Sequence, residues 1–181
     1  NAATGALVWT FYTIPAPDAR ADEGGINGWY GHWSPTTPEG TPLHRDIAKE
    51  KADSAKYADA WKRGGGPMWM TPAYDPDTRM MYIGIGNPSP DLDGSIRPGD
   101  NLWAESIVAL DATTGKFKWG YQMVPHDVCD LDATSPPVIT MVEGRKAVIH
   151  AGKTGWMYVF DAATGKLIRR SDAFVPQDNM F

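Results

Sequence analysis

The residues best able to do chemistry in this chain lie at 125–132, Pro-His-Asp-Val-Cys-Asp-Leu-Asp. Asp127, Asp130 and Asp132 put three carboxyl groups within six residues, beside His126 and Cys129. Like charges at ~4 Å repel by about 1 kcal/mol in bulk water and by more in a drier site. A solvated acidic turn relieves that repulsion at little cost. A bound cation, or a carboxyl kept as a base at a raised pKa, relieves it in a way that does chemistry. The sequence around the loop has to separate these two readings.

The elements that carry the loop are short and repeated. Asn-Ala-Ala-Thr-Gly-Ala-Leu-Val-Trp at 1–9, Asp-Ala-Thr-Thr-Gly-Lys-Phe-Lys-Trp at 111–119 and Asp-Ala-Ala-Thr-Gly-Lys-Leu-Ile-Arg at 161–169 share one plan. Asp or Asn opens an Asx turn, a glycine tolerant of the left-handed region closes it, and a strand-like run follows. SIVAL at 106–110 and GWMYVF at 155–160 supply the strands ahead of the later two copies. A second kind of hairpin precedes each, turning at Asp75-Pro76-Asp77-Thr78 and at Glu143-Gly144-Arg145. Two four-stranded units result, over about 68–121 and 135–172, with the tail of a third at 1–14; such spacing is that of propeller blades. Residues 15–67 interrupt the pattern with a Pro/Gly/aromatic loop, then an Ala- and Lys-rich run at 45–63 that reads as a helix stopped by Gly64-Gly65-Gly66. The expected divisions are 1–14 for the end of one blade and 15–67 for a loop and helix insertion. A blade with the acidic loop follows at 68–134, then a blade and exit segment at 135–181.

Bulk properties narrow the function classes. The chain has 181 residues, enough for one hydrophobic core. Its charged fraction of 22% and hydrophobic fraction of 42% are those of an ordinary folded chain. A net charge of −5 with no basic stripe argues against general nucleic-acid binding. No apolar run approaches the ~20 residues that span a bilayer. Cys129 is the one cysteine, so no disulfide forms within the chain.

Four further stretches carry a resemblance: WKRGGGPMW at 61–69, YDPDTRMMYIGIGNPSP at 74–90, RPGDNLW at 97–103 and GYQMVPHDVCD at 120–130. In order and spacing they resemble the pyrroloquinoline quinone (PQQ)-dependent alcohol dehydrogenases, the methanol and ethanol dehydrogenase group. The repeats look like that family's tryptophan-docking motif, with Trp9 and Trp119 in the docking position and Arg169 in the third copy. The resemblance implies an all-β fold, about a third of an eight-bladed β-propeller. It implies that Trp69 stacks on the quinone ring and that Asn87 ligates a metal ion through its amide oxygen. Asp130 would be the catalytic base and a metal ligand. Asp132 matches the position where lanthanide-using members carry an extra carboxylate, and an Asp-x-Asp pair in extended backbone would turn both side chains to one face. Lys153, in HAGKTGW, would contact the quinone oxygens and neutralise Asp130. His126 and Asp127 are read as loop-orienting residues.

The implied reaction oxidises a primary alcohol to an aldehyde, with a metal-bound quinone as hydride acceptor and a cytochrome c receiving the electrons. The implied cofactors are PQQ and a lanthanide ion or Ca2+. The implied location is the periplasm, with the remaining blades and a homodimer as further partners. Departures from the family are Cys129, where a tryptophan is usual, and Pro67 and Met68, where polar residues help hold the cofactor. Alternatives are a PQQ sugar or polyol dehydrogenase, a haem-fused quinohaemoprotein, and a non-catalytic propeller scaffold. The loop at Trp29, Tyr30, His32 and Trp33 could roof the pocket or simply pack on the surface.

Overall fold

Two four-stranded antiparallel sheets make up the body of the computed structural model, which describes residues 1–25 and 31–175. The first sheet runs β1 (Ala73–Asp75), β2 (Met80–Ile85), β3 (Ser106–Asp111) and β4 (Phe117–Gln122). The second runs β5 (Val138–Val142), β6 (Arg145–Ala151), β7 (Met157–Asp161) and β8 (Leu167–Arg170). Each sheet is a meander in chain order, the arrangement that tight turns between short β-branched and aromatic runs favour. Ile107, Val108, Ala109 and Leu110 of β3 are all buried, because the strand has neighbours on both edges and layers on both faces.

Residues 1–14 contribute no strand, although the sequence suggests the end of a blade there. They nevertheless begin with the Asx turn: Asn1 Oδ1 accepts from the N–H groups of Ala3 and Thr4. Asp111 and Asp161 do the same for the next two copies, accepting from Thr113 and Thr114 and from Ala163 and Thr164.

Each later turn is a seat for a tryptophan. Trp9 Nε1 donates to Ala112 O at 2.9 Å, and Trp119 Nε1 donates to Ala162 O at 3.0 Å. A side chain at Gly165 would lie 2.5 Å from the Trp119 ring, and one at Gly115 2.5 Å from the Trp9 ring. The glycine is therefore required twice over, by its positive φ of 71° and by the indole that covers it. Trp119 stands on β4 and its seat on the β7–β8 turn, so this contact clamps one sheet to the other. Tyr82 and Phe160 pack at 5.8 and 6.1 Å from its ring, and the Tyr82 hydroxyl also donates to Ala162 O. Among the described residues, the Arg169 side chain, in the third copy, makes an exposed ion pair with Glu143 at 3.8 Å.

A charged clasp holds the same edge. Lys146 Nζ reaches both carboxyl oxygens of buried Asp75, at 2.9 and 2.7 Å, and Asp77 at 3.0 Å. The lysine hydrogen bond holds the Asp75 carboxyl below the ordinary carboxylate range.

The expected helix at 45–63 is shorter. It runs over α1 (Ile47–Asp53), capped by Asp46 accepting from the Lys49 N–H, and ends at Ser54; a 3-10 turn follows at Ala60–Arg63. No residue of α1 is buried, so no apolar stripe extends the helix beyond its cap. No helix among the described residues is long and apolar enough to cross a membrane.

The docked indole separates two kinds of glycine. Gly144 also has positive φ, 77°, but open space around it. Gly144→Ala should cost only the left-handed strain of about 1–2 kcal/mol. Gly165→Ala adds the clash with Trp119 and should cost about 3 kcal/mol or more. Urea unfolding of the two variants checks this, and equal losses would mean that the indole is not seated on the turn.

Candidate functional site

The tight turns all fall on one edge of the two sheets. The three long connections, 86–105, 123–137 and 152–156, therefore share the other edge. Asn87 follows β2, Asp130 and Asp132 lie between β4 and β5, and Lys153 lies between β6 and β7. Antiparallel alternation alone thus brings residues from three distant stretches to one rim.

Lys153 is the centre of that rim. Its Nζ lies 2.8 Å from Asp132 Oδ2, 3.2 Å from Asp130 Oδ2 and 2.9 Å from the Asp130 carbonyl. The Asp132 side chain is 2% exposed and that of Asp130 48%, so the pair joins a buried carboxyl to an accessible one. Burial pushes the Asp132 carboxyl up, but the hydrogen bonds from Lys153 and the Asn87 N–H (2.8 Å) hold it below its ordinary value. Hydrogen bonding to Asp132, ahead of Asp130, raises Lys153.

The two aspartates do not meet as an extended Asp-x-Asp pair. Asp130 has a φ of 58°, in the left-handed region, and it is this bend that swings its carboxyl round to the same ammonium as Asp132. Lys153 also favours Asp132 over Asp130 in distance, whereas the sequence reading pairs it with Asp130.

Glycine spacing admits Asp132 to the rim. A side chain at Gly86, the residue after β2, would lie 2.4 Å from Asp132 Oδ1, so this glycine gives the carboxylate its place against the backbone. Asn87 uses its Nδ2 on the Pro88 carbonyl at 3.1 Å, which leaves the amide oxygen as its free pole. The segment bearing Trp69 hangs on the same strand end: Gly66 N–H donates to Asn87 O at 2.7 Å and Gly86 N–H to Pro67 O at 2.9 Å. The Trp69 indole is 60% exposed, a flat apolar face open to solvent.

His126 and Asp127 brace the loop. Asp127 accepts from the N–H groups of Cys129 and Leu131 at 2.8 and 2.9 Å, and burial pushes its carboxyl up. Burial brings His126 down to about 4, and its neutral ring hydrogen-bonds Gly99 O at 2.7 Å. Of the aromatic loop, Trp29 and Tyr30 lie outside the described residues. His32 and Trp33 border a hollow beside Asp100 and Tyr121 whose lining includes none of Asp130, Asp132 and Lys153.

Three further residues hold or adjoin the site, and two of them lie inside the RPGDNLW stretch at 97–103. Arg97 is fully buried and donates to the carbonyls of Pro90, Asp91 and Asp127 and to Asn101 Oδ1. Asp100 binds Arg45 at 2.6 Å and Ser34, tying the insertion to the rim. Glu105 is fully buried just ahead of β3, and the visible clue was an acid directly before the apolar run SIVAL.

The donor set suits a hard cation. Two carboxylates already converge on one positive centre, the Lys153 ammonium, and Asn87 is joined to Asp132 through its backbone N–H. Among the described residues, no three His, Cys, Asp or Glu side chains form a metal cage on their own.

A meander repeat with indole-on-glycine docking and a carboxylate–lysine rim defines a β-propeller fragment. The chain belongs to the family described as "PQQ: Glucose/ethanol/alcohol dehydrogenase, beta-propeller domain", whose model matches residues 1–180. It is 36% identical over 93% of its length to quinohemoprotein alcohol dehydrogenase ADH IIB of Pseudomonas putida. It is 39% identical over 71% of its length to the lanthanide-dependent methanol dehydrogenase of Methylorubrum extorquens. In each case it spans 22% of the relative's length. A solved europium-containing methanol dehydrogenase superposes on 96% of the chain and 28% of its own, with 30% identity and a TM-score of 0.69.

Replacing Lys153 by Met leaves Asp132 buried without its cation. The loss at neutral pH should be about 1–2 kcal/mol, discounted because the lysine is partly exposed. In the parent chain Asp132 is depressed, so its contribution is present above the ordinary carboxylate range and lost as pH falls. In the variant the Lys153 contribution is gone and the Asn87 N–H is left against burial, so the carboxyl rises and the deficit should shrink from about pH 7 to about pH 4. Thermal midpoints of both proteins across that range test the sign; a deficit that grows on acidification would contradict it.

Proposed function

We propose that this chain supplies part of the active site of a PQQ-dependent alcohol dehydrogenase built on an eight-bladed propeller. The observation that carries the reading is the convergence of Asp130 and Asp132 on Lys153 at one rim, beside the segment bearing Asn87 and Trp69, in a chain of this family. The substrate is a primary alcohol and the product its aldehyde. Electrons leave to a cytochrome c, and the complete protein works in the periplasm, with a homodimer as its assembly.

The half-exposed Asp130 accepts the hydroxyl proton. The adjacent Lys153 offsets charge as it develops on that side of the site. Trp69 offers its open face to a planar ring, worth about 0.5–1.5 kcal/mol beyond area burial, and so fixes the ring plane. Asn87, Asp130 and Asp132 would hold the ion, with ligands from other blades completing the shell. PQQ, when bound, supplies the two-electron acceptor that no side chain here can replace.

An ion of higher charge gains more from a second carboxylate, which favours a lanthanide over Ca2+. The names of two relatives, lanthanide-dependent and europium-containing, support that choice. The resemblance to a quinohemoprotein over nearly the whole chain supports a second reading, in which a haem domain belongs to the same protein.

The test is a PQQ titration of the complete protein, read by tryptophan fluorescence with calcium or lanthanum present, followed by dye-coupled ethanol oxidation. Asp130→Asn should lower turnover by about 10²–10⁴-fold while PQQ still binds. Asp132→Ser should weaken lanthanum-supported turnover more than calcium-supported turnover. Full turnover in the first variant would remove Asp130 as the base, and an equal response to both ions in the second would make Asp132 structural.

A further inference from the structure

Asp130 keeps a backbone conformation that something outside the residue has to hold. Its φ of 58° lies in the left-handed region, which aspartate tolerates better than most residues but still disfavours. Such a conformation persists where the surrounding structure over-determines it. Here a single carboxyl does so from both sides. Asp127 Oδ1 accepts from the Cys129 N–H at 2.8 Å, and Asp127 Oδ2 accepts from the Leu131 N–H at 2.9 Å. The two residues flanking Asp130 are therefore tied to one rigid group, and the bend lies between the ties.

Asp127 is held in turn by the stretch 97–101, Arg-Pro-Gly-Asp-Asn. Arg97 is 0% exposed, and its Nη2 donates both to the Asp127 carbonyl and, at 3.1 Å, to the Asp91 carbonyl. Its Nε donates to Pro90 O at 2.8 Å and its Nη1 to Asn101 Oδ1 at 2.6 Å. Beside it the His126 N–H donates to Asp100 O at 3.0 Å, and the His126 ring hydrogen-bonds Gly99 O at 2.7 Å. One guanidinium thereby joins the connection after β2 to the connection after β4. None of the oxygens it bonds is ionised, so none offsets in full the cost of burying a charge. What the guanidinium adds over an apolar side chain is a planar fork that reaches several acceptors at once.

We propose that Arg97 is a positioning residue for Asp130: it fixes Asp127, and Asp127 fixes the bend that turns the Asp130 carboxyl to the shared rim. This rests on the reading of Asp130 as the base. The bend brings Asp130 Oδ2 to 3.2 Å from Lys153 Nζ. A base works within about 2.6–3.2 Å of the proton it takes. A misplacement of about 1 Å that arises away from the chemistry costs about 10²-fold in rate. Loosening the Arg97 fork frees the 127–131 segment, and with it the Asp130 carboxyl, while the contact of Lys153 with buried Asp132 remains. Arg97 touches no reacting atom, so its effect falls on kcat rather than on KM.

The experiment uses the complete protein and the variants Arg97→Lys, Asp127→Asn and Lys146→Met, with Asp130→Asn assayed alongside. Lysine keeps the charge and loses the fork, and asparagine keeps one acceptor oxygen of the two. Lys146→Met breaks the clasp at the opposite edge and is the control for plain loss of stability. Turnover is read by dye-coupled ethanol oxidation with PQQ and lanthanum, and the loop by amide hydrogen exchange over 127–131 without either. Arg97→Lys should lower kcat by about 10–100-fold with KM within about threefold, and speed the exchange by about tenfold or more. Asp127→Asn should do the same to a smaller extent, and it decides the matter alone where Arg97→Lys does not fold. Lys146→Met should lower the thermal midpoint and leave kcat and the exchange within about twofold of the parent's. Unchanged turnover in the two loop variants, or a loss no larger than that in Lys146→Met, overturns the inference and leaves Asp130 as the base. Full turnover in Asp130→Asn overturns the base reading and this inference with it.

Discussion

The indole of Trp119 seated on the turn that ends in Gly165 is the contact on which the rest depends. It joins a strand of one sheet to a turn of the next, and it does so with a hydrogen bond, an aromatic cluster and a glycine that has room for nothing else. Around it, Tyr82, Ile107 and Ala109 of the first sheet share one buried apolar cluster with Val148, Tyr158 and Phe160 of the second, and this packing fixes how the two meanders lie. Once the indole is docked, the Asp75–Lys146 clasp forms on the same edge and the long connections meet on the opposite one. The candidate site is the consequence at that far edge. Asn87 comes from the first sheet, Lys153 from the second, and Asp130 and Asp132 from the chain between them.

The rim has a graded polarity that suits proton and charge handling. Asp132 and Glu105 are sealed, Asp130 is half open, and Trp69 is open. One lysine serves two carboxylates. Such imbalance is costly in a site whose only task is to hold the fold together. It is expected where a mobile positive charge completes the arrangement. The bracing of the loop is by contrast complete: Asp127 takes two backbone N–H groups, and Arg97 ties four separate acceptors to one guanidinium. Rigid support around an unbalanced centre is the pattern by which a protein presents charge to a ligand.

The insertion at 15–67 shows how packing sets the limits of local propensity. Its Ala- and Lys-rich run has the composition of a long helix, but α1 lasts seven residues because none of its positions is buried. Its anchor is instead the buried ion pair of Arg45 with Asp100 and Glu50, which fastens it to the residues preceding the cis-linked Leu102 and Trp103. Position in the fold, rather than helix propensity, decides where this segment lies.

Repetition made the sheets legible in the sequence. The Asx turn and the left-handed glycine recur at 1, 111 and 161 because the same hairpin physics is used each time, and the tryptophan eight residues on stands at 9 and 119 but gives way to arginine at 169. The acidic loop was legible as well, since three aspartates in six residues are costly wherever they occur. Local sequence could not show which of them share a cation. That choice was made by the left-handed backbone of Asp130, by Gly86 yielding space to Asp132, and by the arrival of Lys153 from the next sheet. Glu105 was hidden for the same reason: an acid beside an apolar strand looks like an ordinary strand end until a second sheet closes over it. The sequence by itself determined the turns, the strands and the stock of charged groups, all of which follow from interactions between near neighbours. The tertiary structure decided which charges are buried, which are paired and which is left over, because those depend on distances between residues that only the docked sheets bring together.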